Sequence, residues 1–239
     1  MRNSYIGWKD WQLDDFGHFG HEDALNYAQE LEASGIASVH RLKIAELGFG
    51  NGSFVGWVRN AGGIWVGREA IPDLQKRAVQ AGFEVIGLDA DLSSAFGPGK
   101  LDLIVAFDVI EHLELDTIRS LLSEAKDSLK EGGLLLFRVL SGDSPFSGAI
   151  YHGDFTHRTL LGSSAVRQLA MEAGLAVCQI RSPVLPICGL GFVSAARRIV
   201  VCLTRALVFA FVRHILMGNG RAMISPNMII VLRKEAAPS

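Results

Sequence analysis

Cysteine is scarce in this chain. Cys178, Cys188 and Cys202 are the three in 239 residues. Their spacing matches no zinc pattern and an odd number closes no disulfide framework, so they read as reduced structural thiols, with no metal site expected. Positive charge is not in excess either: 23 Lys and Arg against 25 Asp and Glu leave a formal charge of -2. A basic stripe occurs only near the C-terminus, which argues against nucleic acid as a partner. The stretch Met1 to Asp10 lacks the apolar h-region of a secretory signal, and a cytoplasmic protein is expected. Internal repeats and low-complexity segments are also missing. Apolar side chains are plentiful, at 49% of residues against 20% charged. That is enough for one substantial core and a single domain over 1–239.

The pattern along the chain alternates. Leu25, Ala28 and Leu31 recur at helical spacing within His21 to Ser34, and Gly35 is placed to end that helix. Short apolar runs at 42–47, 63–67, 83–88, 101–107, 134–140, 175–181 and 227–233 read as strands. Between them, 53–59, 72–81, 115–130 and 163–173 read as helices, with Pro72 in a first turn and Gly132 and Gly133 stopping the third. This order predicts an α/β, doubly wound, mostly parallel seven-stranded sheet whose ligand sits outside the carboxyl ends of the strands at the switch point. The expected organisation is an N-terminal lid and helix at 1–35, a cofactor-binding core at 40–181, an apolar and basic helical insertion at 182–225 and a last strand at 226–233.

The sharpest local signal is Glu46-Leu47-Gly48-Phe49-Gly50-Asn51-Gly52, directly after the first strand. Gly48 and Gly50 allow a tight turn and close approach of a ligand to the backbone. Ser53 stands where a dinucleotide fingerprint needs glycine or alanine, which weakens a nicotinamide reading. Glu69 ends the second strand, where a carboxylate can accept two ribose hydroxyls. Asp89 and Ala90 follow the third strand as candidates for the edge of an adenine, with Asp91 an equal alternative to Asp89.

With these residues, Leu101 to His112 and Leu129-Lys130-Glu131-Gly132-Gly133 in the same order, the chain resembles class I S-adenosylmethionine-dependent methyltransferases, Rossmann-like enzymes, over roughly residues 40 to 180. The resemblance implies S-adenosylmethionine as cofactor. It implies that Glu46 to Gly52 wrap the methionine part, Glu69 holds the ribose, Asp89 and Ala90 edge the adenine, and Phe107, Asp108 and Val109 border the methyl group. Glu46 departs from the Asp that many members carry, with the carboxylate kept. Gly7 to Trp11, Phe16-Gly17 and Gly153 to His157 resemble a narrower bacterial group often encoded among genes for surface polysaccharides. That group implies a saccharide hydroxyl or a lipid-linked glycan intermediate as acceptor. Asp108-Val109-Ile110 stands where similar DNA-base methyltransferases carry Pro-Pro-aromatic, which disfavours a nucleic-acid substrate. The rival acceptors are a quinone or another apolar small molecule, and the rival class is a non-catalytic S-adenosylmethionine-binding protein.

A hydroxyl acceptor needs a base within hydrogen-bond reach. His157 oriented by Asp154 is the preferred pair, against an Asx turn at Asp154 with a buried histidine. His112, four residues after Asp108, is the other candidate. Trp8, Trp11 and Phe16 are candidates for a lid over the cofactor, against plain packing. Phe192 to Met217 is long, apolar and basic, with Arg198, Arg205 and Arg213 at helical spacing. Arg205 would sit mid-bilayer in a membrane span, costing about 2.5–3.5 kcal/mol on insertion scales. The alternatives for 192–217 are peripheral membrane contact with the arginines toward anionic lipid and Leu203, Val208 and Phe211 inserted, a cover for the core, or a homodimer contact.

Overall fold

The computed structural model describes residues 15–218 and 223–236. The predicted lid residues Trp8 and Trp11, and the Gly7–Trp11 motif, lie outside the described residues. Six strands form one sheet: β1 (Lys43–Leu47), β2 (Ile64–Arg68), β3 (Leu101–Phe107), β4 (Leu129–Leu140), β5 (Ala176–Arg181) and β6 (Asn227–Arg233). Their order across the sheet is β2-β1-β3-β4-β6-β5. Strands β1 to β4 pair in parallel, and β6 runs antiparallel to both β4 and β5. The helices are α1 (His21–Ala33), α2 (Ser53–Asn60), α3 (Pro72–Gln80), α4 (Leu115–Ser128), α5 (Gly148–Gly153), α6 (Ser163–Ala173) and α7 (Phe192–Phe211), with a π-turn at Val212–Leu216.

The strands are apolar throughout because both faces of the sheet are covered. Ala45, Ile104, Ala106, Leu135, Phe137, Ile230 and Leu232 pack with α4 and α6. Their neighbours Ile44, Leu103, Val105, Leu134, Leu136 and Val231 pack on the other face with α1, α2 and α3. Successive side chains of one strand therefore enter two different cores.

Seven strands were expected, and six form among the described residues. The segment 83–88 touches β2 through a single Gly67–Val85 bridge, because a turn closed by the Ala90 N–H on the Gly87 carbonyl takes the chain away from the sheet. Helix α4 stops at Ser128, two residues before its predicted end, and β4 starts five residues early. Leu129 pairs with Leu101, and Gly132, at φ +76°, donates its N–H to the Lys234 carbonyl. Helix α6 spans the predicted residues.

Phe16 packs edge-on against Phe49 and beside Phe83. It is packing for the core rather than a lid, and its ring occupies the space that a Cβ on Gly52 would fill, 2.5 Å from Phe16 Cζ. Its neighbour Gly17 donates to the Asn51 carbonyl and lies against Gly56 of α2, where an added Cβ would come 1.8 Å from the Gly17 carbonyl oxygen. Because that neighbour is backbone, Gly56→Ala must displace the segment that backs the glycine loop. The expected loss is about 1–3 kcal/mol of stability, seen as a lower thermal midpoint. An unchanged midpoint would contradict this packing.

Candidate active site

β1 lies between β2 and β3, so the chain reverses its direction of winding there, and a cleft opens at the carboxyl ends of these three strands. A pocket of about 930 Å³ occupies it, lined at the strand ends by Leu47, Arg68, Glu69 and Phe107. This lies within the ~300–1,000 Å³ typical of small-molecule sites.

The glycine loop forms one wall. Gly48, Gly50 and Gly52 have φ of +65°, +55° and +80°, conformations that cost a side-chain-bearing residue energy. A Cβ on Gly48 would come 2.4 Å from Val109 Cγ2. The buried Glu69 carboxylate holds the loop in place: Oε2 accepts the Gly50 N–H at 3.0 Å, and Oε1 accepts the N–H groups of Ala70 and Ile71 at 2.7 and 3.1 Å. Burial pushes Glu69 above the usual carboxylate range, and the three N–H donors act against that. Glu46, 4% exposed, accepts Trp65 Nε1–H at 2.9 Å. Burial pushes it up to about 8, opposed by the Trp65 hydrogen bond and reinforced by the charge of Glu69.

Of the residues predicted to hold the cofactor, Glu46, Gly48, Phe49, Gly50, Asn51, Glu69, Phe107, Asp108 and Val109 line the pocket. Gly52 lies behind it as the left-handed cap of α2. Asp89 and Ala90 fall beyond the lining, and their neighbour Leu88 reaches it. The polar group on that side is instead Glu124, which pairs with Arg68 and accepts the Leu92 N–H at 2.7 Å. Sequence reasoning missed this pair, as well as Tyr27 and Arg138. Arg138 carried a signal, being a cation inside the apolar run of β4. It forms a two-point ion pair with Asp108, at 2.9 and 2.5 Å, and Asp108 itself sits at φ +56°. Tyr27 reaches the pocket from α1 and hydrogen-bonds with Ser53; burial pushes its phenol up to about 12, so it stays a neutral hydroxyl.

The far end of the pocket is where distant residues meet. His112 ends a short 3-10 turn, Ile110–His112, after β3. The Glu111 carbonyl accepts the N–H groups of Arg158 and Thr159, which pins the loop after α5 against this turn. Thr156 donates its hydroxyl to Asp154 Oδ1 at 2.5 Å and lies 2.9 Å from His112 Nδ1. A hydroxyl with its one proton committed can only accept from that nitrogen, so Nδ1 carries a proton. His157 Nδ1 lies 2.8 Å from the Tyr151 carbonyl, which likewise puts a proton on that nitrogen.

The predicted Asp154–His157 hydrogen bond does not form. Asp154 reaches His112 through Thr156, because its Oδ1 closes an Asx turn on the Thr156 N–H at 2.9 Å. Asp154 is 7% exposed and its Oδ2 is buried without a hydrogen-bond partner. Burial acts to raise this carboxyl, but the Thr156 hydrogen bonds and the two imidazoles outweigh it and hold it below the usual range. His112, Asp154 and His157 each bring a possible ligand atom within 4.8 Å of the others, which is also three donors for a cation; no metal was expected from the spacing. His152 is exposed and stacks edge-on against Tyr151.

Glu46 gives a pH test. Its folded value near 8 stands above its ordinary 4.5, so the neutral form is the one the fold favours. The stability from that preference is complete below pH 4.5 and is lost as pH rises through 8. In thermal melts of Glu46→Gln against the unaltered protein, the advantage of the variant should grow between pH 5 and 8.5 and level off above. A difference independent of pH would remove this account of Glu46.

Comparison with known proteins agrees with this geometry. A family model described as a methyltransferase domain matches residues 16–180. No curated protein matches the chain. Among solved structures, the chain is similar to an S-adenosylmethionine-dependent methyltransferase from Archaeoglobus fulgidus, at 15% identity over 90% of this chain and 95% of that one, with a TM-score of 0.63. It is similar to a chain of the complex between the Haloferax volcanii Trm112 methyltransferase activator and a putative methyltransferase, at 16% identity over 100% and 99%, TM-score 0.63. It is also similar to Burkholderia thailandensis 1,6-didemethyltoxoflavin-N1-methyltransferase, solved with S-adenosylhomocysteine bound, at 14% identity over 98% and 87%, TM-score 0.54. The family match runs from the Phe16 backing through the glycine loop and Glu69 to the His112 turn and the Asp154 loop. On that evidence the chain belongs to the methyltransferase-domain family.

Proposed function

We propose that the enzyme methylates a hydroxyl group, with a saccharide or a lipid-linked glycan intermediate as acceptor. The observation that carries the reading is the hydrogen-bonded run Asp154–Thr156–His112, which sets an oriented imidazole on the pocket wall. When bound, S-adenosylmethionine would supply an electrophilic methyl group whose bond to sulfur breaks, S-adenosylhomocysteine leaving, as the acceptor oxygen attacks in line, and holding that oxygen in line is the main task of the protein.

His112 takes the hydroxyl proton as the carbon–oxygen bond forms. The positive charge that arises on its ring faces an ionised Asp154 whose Oδ2 has no other partner, so the cluster stabilises the imidazolium. His157, 4.7 Å from His112 between ring centroids, shares that field. The fixed ring orientations remove a reorganisation step at the moment of transfer. Asp108, tied to Arg138, shapes the wall beside the methyl position. A cofactor half buried against Gly48 to Gly50 and an acceptor half next to His112 divide the pocket between them. An apolar acceptor such as a quinone is the second reading, favoured by the exposed apolar helix α7.

Two measurements test this reading. Calorimetry with S-adenosylhomocysteine should show binding that Gly50→Val weakens by on the order of tenfold or more, since valine is strained at φ +55°. His112→Ala should keep that binding and lose about 10²- to 10⁴-fold in turnover on a hydroxyl acceptor. Turnover that survives His112→Ala, or that EDTA abolishes, would overturn the imidazole as base. A screen of sugar and quinone acceptors separates the two substrate readings.

A further inference from the structure

We propose that α7 docks the enzyme on the surface of an anionic lipid bilayer, with the pocket edge of the sheet turned toward the membrane.

The helix is apolar and, among the described residues, makes few contacts with its own chain. An 18-residue window within Phe192 to Leu216 has a mean hydropathy of 2.0, and no residue of α7 is buried. Its outward stripe, Val193, Val200, Leu203, Leu207 and Phe211, falls at the spacing of one helical face, and these side chains are 81%, 61%, 62%, 74% and 56% exposed. A soluble surface rarely tolerates so continuous an apolar patch. The inward face is tethered: Arg198 donates to the Pro186 carbonyl at 2.7 Å and to Glu22 at 2.8 Å, Phe146 stacks on Phe209, and Val212 of the following turn is buried. Arg198 is thus a tether to α1, not one of the lipid-facing arginines expected from the spacing. The exposed arginines of α7 are Arg197, which borders the stripe, and Arg205, which lies two turns after Arg198 on the helix side away from it.

Charge selects the partner. The chain carries a net charge of -2, yet no Asp or Glu occurs between Glu172 and Glu235. A helix with an apolar outer face, exposed arginines and no acid in its own segment of the chain matches an anionic headgroup layer over an acyl interior.

Topology selects the mode. The insertion leaves the sheet at the end of β5 and returns at the start of β6, and these neighbouring strands pair as Arg181 with Ile229. A single span would put the two strands on opposite sides of a hydrocarbon core of about 30 Å. The return segment, 217–226, could cross that distance only if fully extended, with its backbone groups unpaired in lipid. The helix therefore lies in the interface. The start of β6 is also the edge where β4 ends, as Leu140 pairs with Asn227, and it is the edge at which β1, β2 and β3 open into the pocket. Helix α1, held by Arg198 through Glu22, carries Tyr27 of the pocket wall. Docking through α7 so brings the pocket close to the lipid surface, where a lipid-linked acceptor of the kind proposed above resides.

Flotation of the full chain with phosphatidylcholine vesicles containing phosphatidylglycerol tests the proposal without using turnover, so its outcome is separate from that of the acceptor reading. Co-flotation is expected, weakened on the order of tenfold by high salt or by Arg197→Glu with Arg205→Glu. Leu203→Asp with Leu207→Asp should abolish it, while S-adenosylhomocysteine calorimetry confirms that the variant is folded. Failure of the unaltered protein to float would overturn the proposal. A dimer in sedimentation that the Leu203→Asp, Leu207→Asp variant dissolves would also overturn it, since the face would then belong to a second copy.

Discussion

The active site depends on one buried carboxylate. Glu69 accepts N–H groups from Gly50, Ala70 and Ile71, and so clamps the turn after β1 to the end of β2. Three successive positive-φ glycines would leave that turn a broad ensemble in isolation, since glycine loses more backbone entropy on folding than any other residue. The Glu69 hydrogen bonds, and Phe16 seated on Gly52, select one member of it. A cofactor then meets a preformed wall and does not have to order the loop.

The second organising pair works at the far end of the pocket. Asp108 in a left-handed conformation is an uncommon arrangement for a residue with a side chain, and its two-point pairing with Arg138 holds it there. The turn that follows delivers His112 to the pocket wall. The Glu111 carbonyl then anchors the Asp154–Arg158 loop by two N–H groups. Two polar clamps, at Glu69 and at Glu111 with Asp108, thus hold the two halves of the pocket at the ends of rigid strands. The exposed α7 hangs from the same edge by a few tethers, consistent with an element whose main contacts lie outside the chain.

Much of the fold could be read from local pattern. Residues 101–107 and 227–233 are apolar runs short enough for strands and flanked by turn residues, and both form strands. Helix α6 has the predicted bounds because Gly174 takes the left-handed C-terminal position at φ +65°. The segment 83–88 has the same apolar look, yet contributes only a bridge, because strand formation needs a partner in register and the turn at Gly87 to Ala90 removes it. The start of β4 was misplaced for a related reason: the pairing of Leu129 with Leu101 is a long-range decision that Gly132 and Gly133 do not announce.

The sequence by itself determined the alternation of strands and helices, the glycine loop, the carboxylate after β2 and the presence of one long apolar, basic helix. Each of these is set by the period of nearby residues and by the backbone freedom of single glycines. Only the tertiary structure decided that Asp154 serves His112 through Thr156 and not His157 directly, that Glu124 with Arg68 replaces Asp89 beside the pocket, and that Arg198 turns inward while Leu203 and Leu207 face out. Those outcomes rest on which loops the sheet brings to its carboxyl edge, and on hydrogen bonds between groups 32 to 56 positions apart. Local pattern carries no record of those pairings, because they are settled by register and packing across the whole sheet.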